Sequence, residues 1–188
     1  MNNLITSFLF VIIFTVILGL AYPLAVWVTA QVLFPFQAYG SLIKNSDGVI
    51  IGSELIGQQF SGKKYFHSRP SSAGNSYDAT ASGGSNLAPT SARLIERVNG
   101  DVEKLIEDNL GAKIPADLLT TSASGLDPHI SPAAAEYQIP RIARERQISE
   151  EKVRELVTRY TEGRQFGILG ERRVNVLKIN LALDEIDR

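Results

Sequence analysis

Apolar side chains run almost unbroken from Leu4 to Phe36, interrupted only by Thr6, Ser7, Thr15, Gly19, Pro23, Thr29, Gln31 and Pro35; Lys44 is the first charged residue. A bilayer core about 30 Å thick takes about 20 helical residues at about 1.5 Å each, so the run can cross with room for tilt. A single segment in lipid satisfies its backbone only as a helix. A secretory signal is the rival reading, with Val28-Thr29-Ala30 imitating a cleavage site. Residues 1–8, however, carry no Lys or Arg, and the run far exceeds the roughly 7–15 residues of a signal core. The pattern reads as a retained anchor over residues 1–36 and a soluble domain over 37–188. Pro23 removes one helical hydrogen bond and predicts a kink near Ala21–Tyr22. Trp27, Phe34, Phe36 and Tyr39 gather toward the far end and read as lipid contacts.

Beyond the span the periodicity changes. Leu42-Ile43-Lys44 and Val49-Ile50-Ile51 flank a turn whose Asp47-Gly48 pair suits a tight hairpin. Tyr65-Phe66 reads as a third strand. Ser68–Ser91 is rich in Ser, Gly, Ala, Asn and Pro, and a loop of that length in a compact domain is either functional or disordered. From Ser91 to Leu110, the residues Leu94, Ile95, Val98, Val102, Leu105 and Ile106 share one helical face, with Asn99-Gly100 as a point of division. Leu118–Thr121 reads as a short strand and Ser122–Pro128 as a second loop. Ser131-Pro132 opens a helix through Tyr137, and Pro140 starts a further helical turn to Arg146. Ser149 caps a helix carrying Val153, Leu156, Val157 and Tyr160 at i, i+3, i+4 and i+7. Val174–Leu183 fits either a half-buried strand or a helix capped by Asn175. The fold class is α+β: one N-terminal transmembrane helix followed by a single mixed α/β soluble domain.

Composition narrows the chemistry. With 19 basic and 20 acidic residues there is no basic excess of the kind a nucleic-acid surface needs. The absence of cysteine excludes disulfides and thiolate metal sites. Residues Gly57–Lys63 fit the pattern G-x-x-x-x-G-K, but Lys64 stands where a Ser or Thr would hold magnesium, and the flanks read as extended. His67 and His129 are far apart, and no G-x-S-x-G elbow supports a Ser-His-Asp triad; His129 reads as a loop histidine. Gly83-Gly84-Ser85-Asn86 offers amides to an anion, but reads first as a tight turn. Arg141, Arg144, Arg146, Lys152, Arg154, Arg159 and Arg164, interleaved with glutamates, read as a solvated helical face. No catalytic residue, metal ligand or intrinsic cofactor site is expected. Lys44, Lys63 and Lys64 after an uncharged tail lean toward a cytoplasmic domain by the positive-inside rule.

A series of short blocks carries a family resemblance. Tyr22-Pro23-Leu24, Gly40-Ser41-Leu42-Ile43, Leu55-Ile56-Gly57-Gln58, Tyr65–Ser71, Ser82–Leu87, Ser122–Asp127, Ile130–Ala135, Gln138–Arg141, Val174–Leu177 and Asn180–Asp184 occur in an order that resembles the C subunit of the bacterial Kdp potassium-transporting P-type ATPase. The likeness spans nearly the whole chain. Two departures are the missing basic residue before the span and Arg172-Arg173 where relatives often have a proline. The resemblance implies a non-catalytic accessory subunit in a plasma-membrane complex. Its partners would be a channel-like potassium-translocating subunit, an ATP-hydrolysing subunit and a small one-helix peptide, and those partners would handle ATP and potassium. The chain agrees in lacking any Asp-Lys-Thr-Gly-Thr phosphorylation motif. The resemblance implies either a catalytic chaperone that raises ATP affinity or an extracytoplasmic cap over the potassium entrance. Gln58, Arg69, Asn86 and Asp127 are the expected partner-contact residues. The alternatives are an anchored extracytoplasmic sensor or binding module, and an anchored hydrolase using His129.

Overall fold

The computed structural model describes residues 2–186, and the chain divides into two compact units, Met1–Ile43 and Lys44–Arg188. In the first, α1 (Asn2–Val16) and α2 (Tyr22–Leu33) are joined by a single π-helical turn, Ile17–Ala21. Asn3–Leu33 forms 31 residues of helix, long and apolar enough to cross a membrane, with no part of its apolar window buried in the protein. The π turn lies just ahead of Pro23, and within it the Tyr22 amide reaches back five residues to Ile17 O. The irregularity expected at Ala21–Tyr22 takes the form of this widened turn, one established way of absorbing a lost helical bond. The helix stops at Leu33 because Phe34 precedes Pro35, a position biased away from helix, and adopts φ −135°, ψ 53°. One further turn, α3 (Pro35–Ala38), ends the unit's helical part.

The anticipated hairpin is present: β1 (Leu42–Lys44) and β2 (Ile50–Ser53) form a two-stranded sheet. Asn45 Oδ1 shapes its turn by accepting from the amides of Asp47 (3.0 Å) and Val49 (2.9 Å). Residues 54–91 then contain no helix or strand. Next, α4 (Ala92–Asp108) runs straight through Asn99-Gly100. A mid-helix glycine costs about 1 kcal/mol, too little to divide a helix with so long an apolar face. The expected strand at Leu118–Thr121 is instead a 3₁₀ turn, Ala116–Leu118.

The remainder forms the core: β3 (His129–Ile130), α5 (Pro132–Arg146), α6 (Glu150–Arg159), β4 (Thr161–Glu162), β5 (Arg173–Asn175) and α7 (Val176–Ile186). The three strands are antiparallel in the order β3-β5-β4, with Val174 opposite both Ile130 and Thr161. Helix α5 is one helix through Pro140, not two. Ser131 caps it, accepting from the Ala134 amide at 3.0 Å, and its own amide donates to Asp117 at 2.7 Å. Near the proline, the Tyr137 carbonyl takes a bond from Asn109 Nδ2 at 3.0 Å, so a side chain assists the disturbed turn. Buried Ile139, Ile142 and Ala143 give α5 a continuous inner face, which holds the helix together across the missing amide. At the C-terminal end both readings have a share: β5 ends at Asn175 and the helix starts at Val176. Asn175 Oδ1 accepts from the Lys178 amide at 3.1 Å as its cap. Val176, Ile179 and Leu183 then bury a helical stripe against Ile130, Val153, Val157 and Val174.

Candidate subunit-docking surface

Tyr65-Phe66 is extended but joins no sheet. Its backbone is matched by side chains instead. Asn180 on α7 accepts from the Phe66 amide at 2.8 Å and donates to the Phe66 carbonyl at 2.9 Å. Gln138 on α5 does the same for His67, at 2.8 and 3.1 Å. Arg141 donates to the carbonyls of Lys63 and Tyr65, and Arg146 to that of Lys64 at 2.8 Å. Five successive carbonyls are thus bound by two helices that stand where a neighbouring strand would. This corrects the solvated-face reading for two of the arginines: Arg141 is 1% exposed, and only 1% of the Arg146 side chain is exposed. Arg141 Nε lies 3.0 Å from Asp108 Oδ2 and Arg146 pairs with Asp184 at 2.8 Å, so both charges are compensated.

From this fixed segment the two long polar loops emerge and interlock. Ser71 Oγ donates to Gly125 O at 2.6 Å, the Gly83 amide to Ser124 O at 2.9 Å, and the Gly57 amide to Leu126 O at 2.8 Å. The centre of the knot is Gly125 at φ +69°, where a Cβ would lie 2.6 Å from Ala73 N and 2.7 Å from Gly83 O. Only glycine combines that conformation with so close an approach.

The four residues singled out from the sequence have different fates. Arg69 and Asp127 come together at 3.3 Å, and Arg69 also donates to Thr120 O, Thr120 Oγ1 and Thr121 O at 3.2–3.4 Å. Gln58 turns inward, donating to Ile51 O at 3.0 Å against Gly52. Its segment touches the same knot, since a Cβ at Gly57 would lie 2.7 Å from Asp127 O. Asn86 is apart from the other three, exposed and left-handed at φ 51°. In the block that holds Gln58, an apolar side chain faces outward instead: Leu55 is 62% exposed. Gln138, Arg141 and Asn180 lie in blocks that carry the family resemblance, but neither they nor Arg146 could be assigned this role from the sequence, because nothing local marks a polar residue on an apolar helix face as the partner of a distant backbone.

Candidate chemistry resolves into ion pairing. His129 Nδ1 is 3.5 Å from Asp127 Oδ1 and its Nε2 is 4.0 Å from Glu162 Oε2, so both ring nitrogens face carboxylates. Burial pushes the Asp127 carboxyl up, but hydrogen bonds from His129 and the charges of His129 and Arg69 outweigh it and hold it below the usual range. Glu162 is likewise held low: its burial is outweighed by Arg173, Lys178 and His129. His67 is pushed below its ordinary value by burial and by Arg141. Its Nε2 lies 3.0 Å from Gly62 O, a contact that places the proton on that nitrogen because a carbonyl only accepts. Residues Gly57–Lys63 neither leave a buried strand nor enter a helix, and the Gly57 amide is already bonded, so no phosphate cradle forms. Among the described residues no group of three or more His, Cys, Asp or Glu side chains is placed to hold a metal ion.

Fold and site together define a class: one apolar helix of membrane-crossing length followed by an α+β domain whose long polar loops are tied into a fixed surface. The family model described as "KdpC: K+-transporting ATPase, c chain" matches residues 4–185. The chain is 57% identical to the "Potassium-transporting ATPase KdpC subunit" of Koribacter versatilis, over 97% of this chain and 94% of that one. It is 57% identical to the protein of the same description from Acidobacterium capsulatum, over 99% and 100%. With that of Methylobacterium nodulans the identity is 52%, over 92% and 91%. The chain belongs to the KdpC family, the C subunits of potassium-transporting ATPases.

Proposed function

We propose that this chain is a non-catalytic accessory subunit of an ATP-driven potassium uptake pump in the bacterial plasma membrane. Its soluble domain lies outside the cytoplasm and caps the potassium entrance of the channel-like subunit. The observation that carries the reading is the knot of Ser68–Ser91 and Ser122–Pro128 around Gly125, because ordered polar loops form a surface ready to dock without paying an ordering cost on contact. Gln58, Arg69 and Asp127 hold that surface in shape and Asn86 stands free on it as a contact. ATP and potassium are handled by the ATP-hydrolysing and channel-like partners, and the small one-helix subunit completes the complex. Coupling between an external cap and cytoplasmic ATP then passes through the helix and subunit contacts as a linked equilibrium.

Two experiments test this. Deleting the chain is expected to abolish potassium-stimulated ATPase activity of the pump, and full activity without it would refute the role. The chain has no cysteine, so Ser149→Cys, exposed at the start of α6, can be labelled alone with a membrane-impermeant maleimide. Labelling of intact cells supports the cap. Labelling only after lysis makes the ATP-affinity chaperone the leading mechanism.

A further inference from the structure

The three-stranded sheet turns a charged face away from its apolar one. β3 and β4 lie on either side of β5, with His129 opposite Asn175 and Glu162 opposite Arg173. Side chains alternate along a strand, so these four residues share one face while Ile130, Val174 and Thr161 share the other. On the charged face His129 stands between two carboxylates, with Asp127 Oδ1 at 3.5 Å from Nδ1 and Glu162 Oε2 at 4.0 Å from Nε2. The two acids belong to different parts of the domain. Asp127 lies in the loop that interlocks around Gly125 and is also held by Arg69 at 3.3 Å. Glu162 is fixed on β4 by Arg173 at 2.9 Å and by Lys178 of α7 at 3.6 Å, and Lys178 in turn pairs with Glu54 at 2.8 Å.

A neutral imidazole carries one proton, so with carboxylates at both nitrogens one of them meets a lone pair; an imidazolium donates from both sides. Protonation of this ring therefore turns a repulsive contact into an attractive one and joins the two acids through a single side chain. Asp127 and Glu162 are each held below the usual carboxylate range, so both stay charged over the interval in which an imidazole ordinarily titrates. The chain's other histidine, His67, is tied to Gly62 O and takes no part in the cluster.

We propose that His129 is a proton-operated latch: charged, it ties the interlocked loops, through Asp127, to the sheet edge at Glu162; neutral, it releases that tie. Acidification of the compartment that holds the domain then orders the loop surface, and alkalinisation loosens it. The latch is a property of the chain alone, and its effect on the pump rests on the reading of these loops as the docking surface.

Hydrogen exchange of the full chain in detergent micelles, corrected for the intrinsic pH dependence of amide exchange, tests it. Protection of residues 122–127 is expected to be at least about threefold higher at about pH 5.5 than at about pH 8, a modest factor because both pairs are partly open to solvent. His129→Gln takes no charge, and its protection is expected to stay at the alkaline wild-type level at both pH values. Glu162→Gln keeps the histidine but removes one acid, so the difference is expected to shrink, while His67→Gln is expected to leave it in place. Equal protection at both pH values in the wild type, a reversed sign, a difference that survives His129→Gln or one that vanishes with His67→Gln overturns the proposal. If exchange responds as expected but the pH profile of potassium-stimulated ATPase activity is the same in pumps carrying His129→Gln and the wild-type chain, the latch stands and the docking reading of the loops falls.

Discussion

Asn180→Leu tests the claim that side chains of α5 and α7 replace a strand for the Phe66 backbone. Asn180 is 1% exposed, Phe66 is fully buried, and the two bonds between them measure 2.8 and 2.9 Å. Leucine has the same branched side chain of four heavy atoms, so the change creates no cavity but leaves one buried N–H and one buried C=O unpaired. Each unpaired group costs about 1–3 kcal/mol, which sets the expected loss at about 2–6 kcal/mol. Against a typical total of about 5–15 kcal/mol this is a large fraction. Urea unfolding of the full chain in detergent micelles, followed by circular dichroism, reads it directly. With a slope of about 1–3 kcal/mol/M, the midpoint falls by at least about 0.7 M. A loss below about 1 kcal/mol would refute the reasoning, because it would mean that water already reaches the Phe66 backbone. Asn180→Asp adds a pH signature. A neutral carboxyl can still accept from the Phe66 amide and donate to its carbonyl, whereas a carboxylate opposes the carbonyl and is buried. Its folded pKa is therefore raised, and stability is lost as pH rises above the unfolded value of about 3.9 until the buried group itself ionises.

Three further outcomes follow from the same geometry. Gly125→Ala forces a Cβ into Ala73 N and Gly83 O at a positive φ; hydrogen exchange of residues 68–91 is expected to accelerate at least about tenfold, an opening cheaper by about 1.4 kcal/mol. His67 is pushed below its ordinary value, so the unfolded chain binds the extra proton first. Stability present above about pH 6.5 is lost as pH falls toward the folded pKa, with a slope of at most about 1.4 kcal/mol per unit, and His67→Gln flattens that limb in urea titrations. Ser131→Ala removes the cap of α5 and one of its two bonds to Asp117, with an expected cost of about 1–2 kcal/mol in urea midpoint measurements.

Where the physics is local, the sequence was a sufficient guide. The span follows from an uncharged apolar run, the hairpin from Asn45-Ser46-Asp47-Gly48, and α6 from Ser149 and the Val153–Leu156–Val157 stripe. Where a distant partner decides, local reading failed. Pro140 reads as a helix start, yet the buried face of α5 carries the helix through it. Tyr65-Phe66 has strand composition, but its partners are amide and guanidinium groups on α5 and α7. Arg141 and Arg146 alternate with glutamates as exposed helical charges do, and only the chain at residues 63–66 shows why they are inside. Of the candidate docking surface, composition marked the two loops but not their interlock through Gly125.

The reversal between polar residues that turn inward and apolar residues that face outward changes how a defect at Arg69 should be understood. Its guanidinium is shared among Asp127, Thr120 and Thr121, and it fastens one loop to the other before any partner arrives. Arg69→Met removes a net of about 1–2 kcal/mol of that fastening, which raises the open population of the loops about 5–30-fold. If Arg69 acts through loop order, protease cleavage within residues 68–91 of the full chain rises by that factor, and pump activity recovers when the temperature is lowered or an excluded osmolyte is added. If it acts by direct contact with a partner, activity falls while cleavage stays at the wild-type rate, and no osmolyte restores it. The partly enclosed salt bridge at 3.3 Å and three bonds within the chain leave the guanidinium little capacity for an outside ligand, and the first outcome is the one expected.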